Sequence, residues 1–397
     1  MEILSDDDHL KQLRYVRKPD GMKNCVDKLF PVIHAAFDIS SPDVSLTAEE
    51  CEELAAFGQK QSILPLIYAG LKKMELPADQ LEAIDRVRNR DLLRFVLQND
   101  ALQKIETALK EAGIPYLPLK GAVLRNFYPA PEMRTSCDLD VLVHEEDLNR
   151  AVEAIEKNTD FKKRKRNYHD VSMVNSGVHL ELHFSIRENM ENIDKLLVRV
   201  WDYAVPDEGS RYKLTPEFQI FHVVAHMSYH MVHGGLGIRP LLDLWLLRTK
   251  TLYDEETVRQ MCSGCGILTF YDKCCELVDA WMTGEPVPED LSTLEEYTLN
   301  GGVYGSKESA TASKQREHRG FFSYFIHRMF VSREELSMEY PELKGKPYLL
   351  PLFQVRRWSR LINPQKRKQV KKEIISVRAM KPETIDSFDK LLLSLGL

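Results

Sequence analysis

The stretch "RTSCDLDVLV", residues 134–143, decides how this chain is interpreted, because it places two aspartates in a run that is otherwise apolar and strand-like. Side chains alternate between the faces of a strand, so Asp138 and Asp140 share one face, with their α-carbons roughly 7 Å apart. Carboxylates that close in a poorly hydrated place raise each other's pKa unless a cation lies between them. Oxygen ligands on a rigid element are those that Mg²⁺ prefers. On an exposed strand edge the same pair is often only solvated charge. The neighbouring residues therefore decide between a metal site and a solvated pair.

A second strand candidate, "HLELHF" at residues 179–184, carries another carboxylate. Alternation sends its apolar residues to one face and His179, Glu181 and His183 to the other. If this strand neighbours the first, three carboxylates converge. Two alternatives stay open: an ordinary half-exposed strand, and a His-Glu-His metal site of another kind.

Upstream, "PLKGAVLRNFY" at residues 118–128 predicts a strand, a turn at Gly121 and one helix. Free backbone N–H groups and the positive end of the helix dipole make such a turn suited to phosphate, and Lys120 adds a positive charge. A plain strand-to-helix turn is the alternative. Arg134 is placed either to reach a phosphate or to form a structural salt bridge.

Composition limits the function classes. The chain has 397 residues, 43% of them hydrophobic, with a formal net charge of −6, so nothing in the overall balance favours nucleic acid or membrane partners. Seven cysteines in a long chain are typical of a reducing interior. The start, "MEILSDDDHL", lacks the pattern of a secretory signal, and no apolar run is long enough to span a bilayer. We expect a cytoplasmic protein.

The order of patterns predicts an α+β fold, in which a small mixed β-sheet core is flanked by N-terminal and C-terminal helical regions. The expected segments are a helical region at 1–112, an α/β core at 113–210, a helical bundle at 211–300, and a mobile loop with a basic helical extension at 301–397. The basic run "KKRKR" at 162–166 is interpreted as an exposed edge strand, where lysines block aggregation. The basic stretch 356–372 is interpreted as a solvated helix face. The alternative for both basic stretches is that they steer a polyanionic acceptor such as nucleic acid.

The stretch "FQIFHVVAHMSYHMVHGG", residues 218–235, contains several histidines whose roles differ. His226 and His230 are four residues apart and share a helical face. They are expected either to line the cleft opposite the metal, together with Arg239, or to hydrogen-bond to Asp243 inside the helical bundle.

Two further groups in this region are expected to be structural. His222 and His233 are assigned to the helix surface. The cysteines of "CSGCGILTFYDKCC" invite a zinc interpretation, but adjacent cysteines fit zinc spacing poorly. A helical core role is preferred for them.

Taken together, "LKG" with a short helix, "R-x3-DLD-x-LV" and the later "ELH" resemble the nucleotidyltransferase superfamily with the polymerase-beta-like core. More narrowly, the chain resembles a bacterial group labelled uncharacterised nucleotidyltransferase family. The similarity covers roughly residues 45–285 and includes "EAGIPYLPLKG" and the helices "AHMSYH" and "RPLLDLWLL".

The resemblance implies roles residue by residue. Asp138 and Asp140 match the metal-binding aspartate pair, and Glu181 matches the third carboxylate, which helps to hold the metal or accepts the acceptor's proton. Gly121 matches the glycine of the phosphate-gripping turn. Ala122 stands where the superfamily usually has a second glycine or a serine, so a hydroxyl contact to triphosphate is missing and Lys120 is expected to compensate.

The implied activity is transfer of a nucleoside monophosphate from a nucleoside triphosphate, such as ATP, to an unidentified acceptor, with release of pyrophosphate and use of Mg²⁺ or Mn²⁺. A small molecule, peptide or protein is favoured over nucleic acid as the acceptor. A catalytically silent nucleotide- or partner-binding module with the same fold is the alternative from another class, and metal-assisted phosphoester hydrolysis is a third possibility. The nucleotide base and the oligomeric state are not indicated.

Overall fold

The computed structural model describes residues 26–40, 44–74, 76, 78–303, 305, 329–333, 340–343, 345–359 and 382–397, with single or paired positions elsewhere between 313 and 375. The acidic first residues, most of the stretch 301–315 predicted as a mobile loop, and part of the basic stretch 356–372 lie outside the described residues. The predictions for these segments therefore stay predictions.

A mixed sheet forms the centre of the described structure. Its strands are β1 (Tyr116–Pro118), β2 (Leu139–Val143), β3 (Lys162–Arg166), β4 (Asp170–Asn175), β5 (Val178–His183), β6 (Ala204–Glu208) and β7 (Arg211–Leu214). Their spatial order is β3-β4-β5-β2-β1-β7-β6. β2 is antiparallel to β1 and parallel to β5, and β1 is parallel to β7. The sequence did not indicate the β6–β7 hairpin, which carries the sheet past residue 210.

Helices flank this sheet. In chain order they are α1 (Val26–Ala36), α2 (Ala48–Lys60), α3 (Leu64–Lys72), α4 (Ala78–Glu111), α5 (Gly121–Leu124), α6 (Leu148–Asn158), α7 (Glu191–Leu197), α8 (Pro216–His233), α9 (Ile238–Lys250), α10 (Glu255–Gly264), α11 (Leu268–Thr283), α12 (Ser292–Asn300), α13 (Leu350–Trp358) and α14 (Pro382–Ser394). The predicted α+β class is confirmed. The capping box at the start of α2 is also present, since Thr47 and Glu50 exchange side-chain hydrogen bonds with each other's backbone N–H groups.

Two apolar clusters hold these elements together. One lies between the sheet and helices α4 and α6, and contains Leu139, Val141 and Leu180 of the two central strands. The other joins α1–α3 with α8–α12 and α14 around one shared core. The helices before and after the sheet therefore pack against each other, while the predicted division into four segments stays a prediction.

The segment after Gly121 departs from the expected single helix. α5 ends at Leu124 and a 3-10 turn follows over Arg125–Phe127. The side chains of Arg125 and Asn126 donate to the carbonyl oxygens of Gly121 and Ala122 at 2.8 and 3.5 Å. These are the acceptors that the next backbone N–H groups of an α-helix would use, so side-chain bonds compete with the helix.

The cysteines of α10, of α11 and of the turn between them lie in the helical core, as predicted. Cys262, Cys265, Cys274 and Cys275 are buried and free. Among the described residues, the groups close enough to hold a metal do not include them. None of the helices in the described part of the chain combines the length and the apolar character that a bilayer crossing requires.

A buried amide ties three helices together at one point. Gln61, fully buried after α2, donates to the carbonyl oxygens of Thr298 and Gly301 at 2.9 and 3.2 Å, and its own oxygen accepts from the N–H of Ile238 at 3.1 Å. These partners are backbone groups at the ends of α12 and α9, where helices leave orphan carbonyl and N–H groups. The side chain therefore satisfies termini that would otherwise be buried without partners.

We expect Gln61→Leu to lower the free energy of unfolding by about 3 kcal/mol, because it leaves buried backbone groups unpaired. Urea unfolding at constant m-value measures the change. Gln59→Leu, at an exposed position two residues earlier, is the matched control and should stay within about 0.5 kcal/mol of the parent. Equal stabilities of the two variants would contradict this role for Gln61.

Candidate active site

The parallel pairing of β2 with β5 brings the three predicted carboxylates together. Asp140 lies directly opposite Glu181 in the register, and Asp138 immediately precedes β2. Ligand atoms of Asp140, Glu181 and His183 lie within 4.8 Å of one another, and so do those of Asp138, His179 and Glu181. Glu181 is common to both groups, so the acidic side chains form one continuous cluster.

Two basic side chains offset this negative charge. The Nε2 of His183 donates to Asp140 Oδ1 at 2.9 Å and lies 3.5 Å from Glu181 Oε2. The Nζ of Lys120 lies 3.4 Å from the same Asp140 oxygen. Burial opposes the charged forms of both groups, but the carboxylates prevail. They raise the pKa of His183 to about 9 and raise that of Lys120 as well.

The two aspartates differ in their electrostatic environment. Burial would raise the pKa of Asp140, but Lys120 and His183 hold it well below its usual range. Burial and the carboxylates of Asp140 and Glu181 raise the pKa of Asp138. Lys120 and His179 offset only part of this repulsion on Asp138. An oxygen-rich cluster with this excess of negative charge fits a divalent ion such as Mg²⁺.

The turn before α5 lies against the loop that carries Asp138. Lys120 has φ 41°, a positive value that non-glycine residues seldom adopt and that concentrates at functional sites. A Cβ on Gly121 would lie 3.0 Å from the side chain of Ser136 and 3.1 Å from Arg134 Nη1, so this close approach favours glycine. The side chain of Ala122 is buried, and its backbone N–H donates to the carbonyl oxygen of Leu119. Both groups therefore make contacts inside the turn.

The loop at 134–137 is fixed by buried contacts to the helices. The guanidinium of Arg134 makes two hydrogen bonds of 2.7 Å to the carboxylate of Asp243, which also accepts from Tyr128 at 3.0 Å. Arg239 donates to the carbonyl oxygen of Thr135 at 2.9 Å. For Arg134 the structure shows the salt bridge, and the residue also lines the cleft that contains Asp138 and Asp140. Asp243 thus accepts from Arg134 and Tyr128, while His226 of α8 contacts Glu188 and His230.

Sequence reasoning missed the residues that support this loop from the other side. Gln98 of α4 donates to the carbonyl oxygen of Ser136 at 3.1 Å, and Ser136 Oγ donates to that of Asp138 at 2.9 Å. Arg125, which is buried, donates to the carbonyl oxygen of Gly121 and lies 3.5 Å from both Gln98 Oε1 and Ser136 Oγ. Polar residues at buried positions of an amphipathic helix were the available signal, but their partners are distant in sequence.

The cleft beside the carboxylates has a second wall formed by α8. Lys120, Gly121, Asp138 and Asp140 form what we term the carboxylate wall, and the same cleft is lined by residues of the helical wall. These are His222, Val223, His226 and Met227.

The histidines of the helical wall are linked to one another. His226 Nδ1 lies 2.6 Å from Glu188 Oε1, and its Nε2 lies 3.0 Å from His230 Nε2. Burial, together with Lys120, lowers the pKa of His226 well below its ordinary value. Burial and His226 lower that of His230 to about 2. With both rings neutral, the Nδ1–H of His226 donates to Glu188 and its Nε2 accepts from His230.

His222 is not at the helix surface, and that prediction is wrong. Its exposed fraction is 1%, and it lines the cleft one turn before His226. The helix is apolar on almost every side, so the periodicity gave no surface face on which to place this histidine. His233, at the end of the same helix, is exposed as predicted.

A mixed sheet that presents clustered carboxylates from parallel neighbouring strands beside a glycine turn defines a candidate metal-dependent phosphoryl-type transferase site. The profile of a family described as uncharacterised nucleotidyltransferase matches residues 47–283, and the chain belongs to this family. The match runs from the N-cap of α2 to the last residue of α11. Neither the curated proteins nor the solved structures contain a match.

The buried Arg134–Asp243 pair generates a stability prediction. We expect Arg134→Met to lower the free energy of unfolding by about 3–5 kcal/mol, because it leaves the Asp243 carboxylate buried without its cation. Replacing both partners, Arg134→Met with Asp243→Leu, should restore a large part of this loss. Chemical denaturation of the single and double variants measures the coupling.

The exposed pair Arg199–Asp202, with N to O distance 2.8 Å, supplies the control. Arg199→Met should cost no more than about 1 kcal/mol. If Arg134→Met left stability unchanged and weakened nucleotide binding instead, Arg134 would be a phosphate ligand.

Proposed function

We propose that this protein transfers a nucleoside monophosphate from a nucleoside triphosphate to an acceptor, with Asp138, Asp140 and Glu181 holding Mg²⁺ or Mn²⁺. The observation that carries the proposal is the convergence of these carboxylates across the β2–β5 pair. Family membership supports the reaction class. A divalent ion bound there supplies positive charge that neutralises the phosphates and the charge that develops in the transition state.

The chain's own residues account for binding and orientation. Lys120 lies at the turn before α5 and beside Asp140, so its ammonium is placed to attract the triphosphate. Gly121 leaves room for close packing between this turn and the loop of Asp138. His183, held by Asp140 and Glu181, fixes the orientation of both carboxylates.

The transfer itself forms one bond and breaks one. A hydroxyl or amine of the acceptor attacks the α-phosphorus, and the bond from that phosphorus to the pyrophosphate oxygen breaks. The acceptor's proton goes to a base beside the cleft, and Glu181, which clusters with Asp138 and Asp140, is proposed for this role. Glu181 is half-exposed, and His183, whose Nε2 lies 3.5 Å from its carboxylate, lowers its pKa, so the carboxylate is in its basic form at neutral pH.

The acceptor is proposed to be a small molecule, peptide or protein. The most basic strand, β3, is exposed along its whole length, but it is an edge strand separated from β2 by β4 and β5. A polyanion bound to β3 would therefore lie away from the carboxylate cluster. We accordingly do not assign nucleic acid as the acceptor.

Asp138→Asn, Asp140→Asn and Glu181→Gln should each reduce nucleotide transfer by about a hundredfold or more, because each removes a metal ligand. Each should also abolish the magnesium-dependent thermal shift with ATP, GTP, CTP or UTP. Transfer is measured with α-labelled nucleotides in lysate of the source organism, followed by mass spectrometry of the labelled product.

Asp160→Asn, which removes an exposed carboxylate near the sheet, is the control and should behave as the parent. An unchanged magnesium-dependent thermal shift in the Asp138, Asp140 and Glu181 variants would contradict the metal assignment. Incubation of the parent with nucleotide alone separates the other functions. A transferase releases little product without an acceptor, a phosphoester hydrolase releases product freely, and a silent binding module shows the shift without product under any condition.

A further inference from the structure

His222 is a buried polar side chain without a hydrogen-bond partner. Neither Nδ1 nor Nε2 is hydrogen-bonded among the described residues, although the residue is 1% exposed. A neutral imidazole always carries one N–H donor and one acceptor lone pair. Leaving both unmet inside a protein costs stability, so such a residue calls for an explanation outside the folded chain itself.

The position of His222 supplies that explanation. It lines the cleft that also contains Lys120, Asp138 and Asp140. Burial and the nearby Lys120 ammonium lower its pKa to about 3, so the ring is neutral at physiological pH. A neutral donor–acceptor ring is not a counter-ion for phosphate. It suits an uncharged group that both donates and accepts, and a hydroxyl does both.

We propose that His222 hydrogen-bonds a ribose hydroxyl of the bound nucleotide and makes the protein select ribonucleotides over deoxyribonucleotides. The inference rests on the proposed function, which places the triphosphate between Lys120 and the carboxylates. In a nucleotide the ribose is the first uncharged group beyond the α-phosphate. His222 lines the same cleft, near Lys120, where a group one step from the phosphates would lie.

The same helix offers a matched control. Gln219, one turn before His222, is also buried, and its Nε2 also lacks a partner among the described residues. Gln219 does not line the cleft. Gln219→Leu and His222→Leu therefore both remove a buried unpaired polar group from α8, but only the second removes one that faces the nucleotide.

The test compares the binding of nucleotides that differ only in their sugar. The nucleotide among ATP, GTP, CTP and UTP that gives the largest magnesium-dependent thermal shift is titrated calorimetrically, together with its 2′-deoxy and 3′-deoxy analogues. The parent should bind the ribonucleotide about tenfold more tightly than one of the analogues, as expected for one lost hydrogen bond. His222→Leu should bind the ribonucleotide about tenfold more weakly, bind that analogue as the parent does, and so lose the discrimination. His222→Phe, which keeps a flat ring without nitrogens, is measured in parallel and should behave alike.

Stability supplies a second readout. Without nucleotide, both Leu variants should melt at or above the parent's temperature, and Gln219→Leu should keep the parent's sugar discrimination. Two results would overturn the ribose assignment while leaving the proposed function intact. One is an equal loss of affinity for ribonucleotides and deoxyribonucleotides in the His222 variants. The other is discrimination between these sugars that persists in both His222 variants. A loss of affinity that depends on the base of the nucleotide and not on its sugar would also overturn the assignment. If the parent bound no nucleotide at all, this inference and the proposed function would fail together.

Discussion

The parallel pairing of β2 with β5 is the constraint on which the site depends. It sets Asp140 opposite Glu181, and a shift of one residue would turn Glu181 to the other face of the sheet. The apolar side chains that alternate with the carboxylates prevent such a shift, because Val141, Leu180 and Leu182 are buried against α4 and α6. The hydrophobic core on one face of the sheet thus determines the geometry of the charges on the other.

The sheet alone does not complete the cleft. The loop before β2 is held by Gln98 from α4, by Arg239 from α9, and by the Arg134–Asp243 salt bridge. The helices that provide these contacts share a core with α1–α3. A change in the helical bundle would therefore move the loop of Asp138. This dependence gives a physical reason for a family match that extends from α2 to α11 rather than over the sheet only.

The parts of the site that sequence predicted are those determined by short-range periodicity. Alternation along two strands was enough to put Asp138, Asp140 and Glu181 on equivalent faces. The features that sequence left open or misplaced have a different origin. The partner of Arg134 lies in α9, far along the chain, and no local pattern indicates it. His222 was misplaced because a helix buried on nearly all sides has no polar face to serve as a reference. The ending of α5 depends on side-chain bonds from Arg125 and Asn126, which propensity does not describe.

The two walls of the cleft differ in charge, and Lys120 contributes to the difference on both sides. Its ammonium lowers the pKa of Asp140. Burial, with a further contribution from the same ammonium, lowers the pKa values of His222 and His226. Lys120 thus favours the ionised form of Asp140 and the neutral form of the histidines on the helical wall. With a divalent ion held by the carboxylates, as proposed, the sheet side of the cleft would carry the positive charge of that ion and of Lys120. A substrate that is anionic at one end and uncharged at the other would then place its anionic end toward the sheet. A nucleoside triphosphate has this asymmetry, so under the proposed function the charge difference between the walls would orient the nucleotide before any base is recognised.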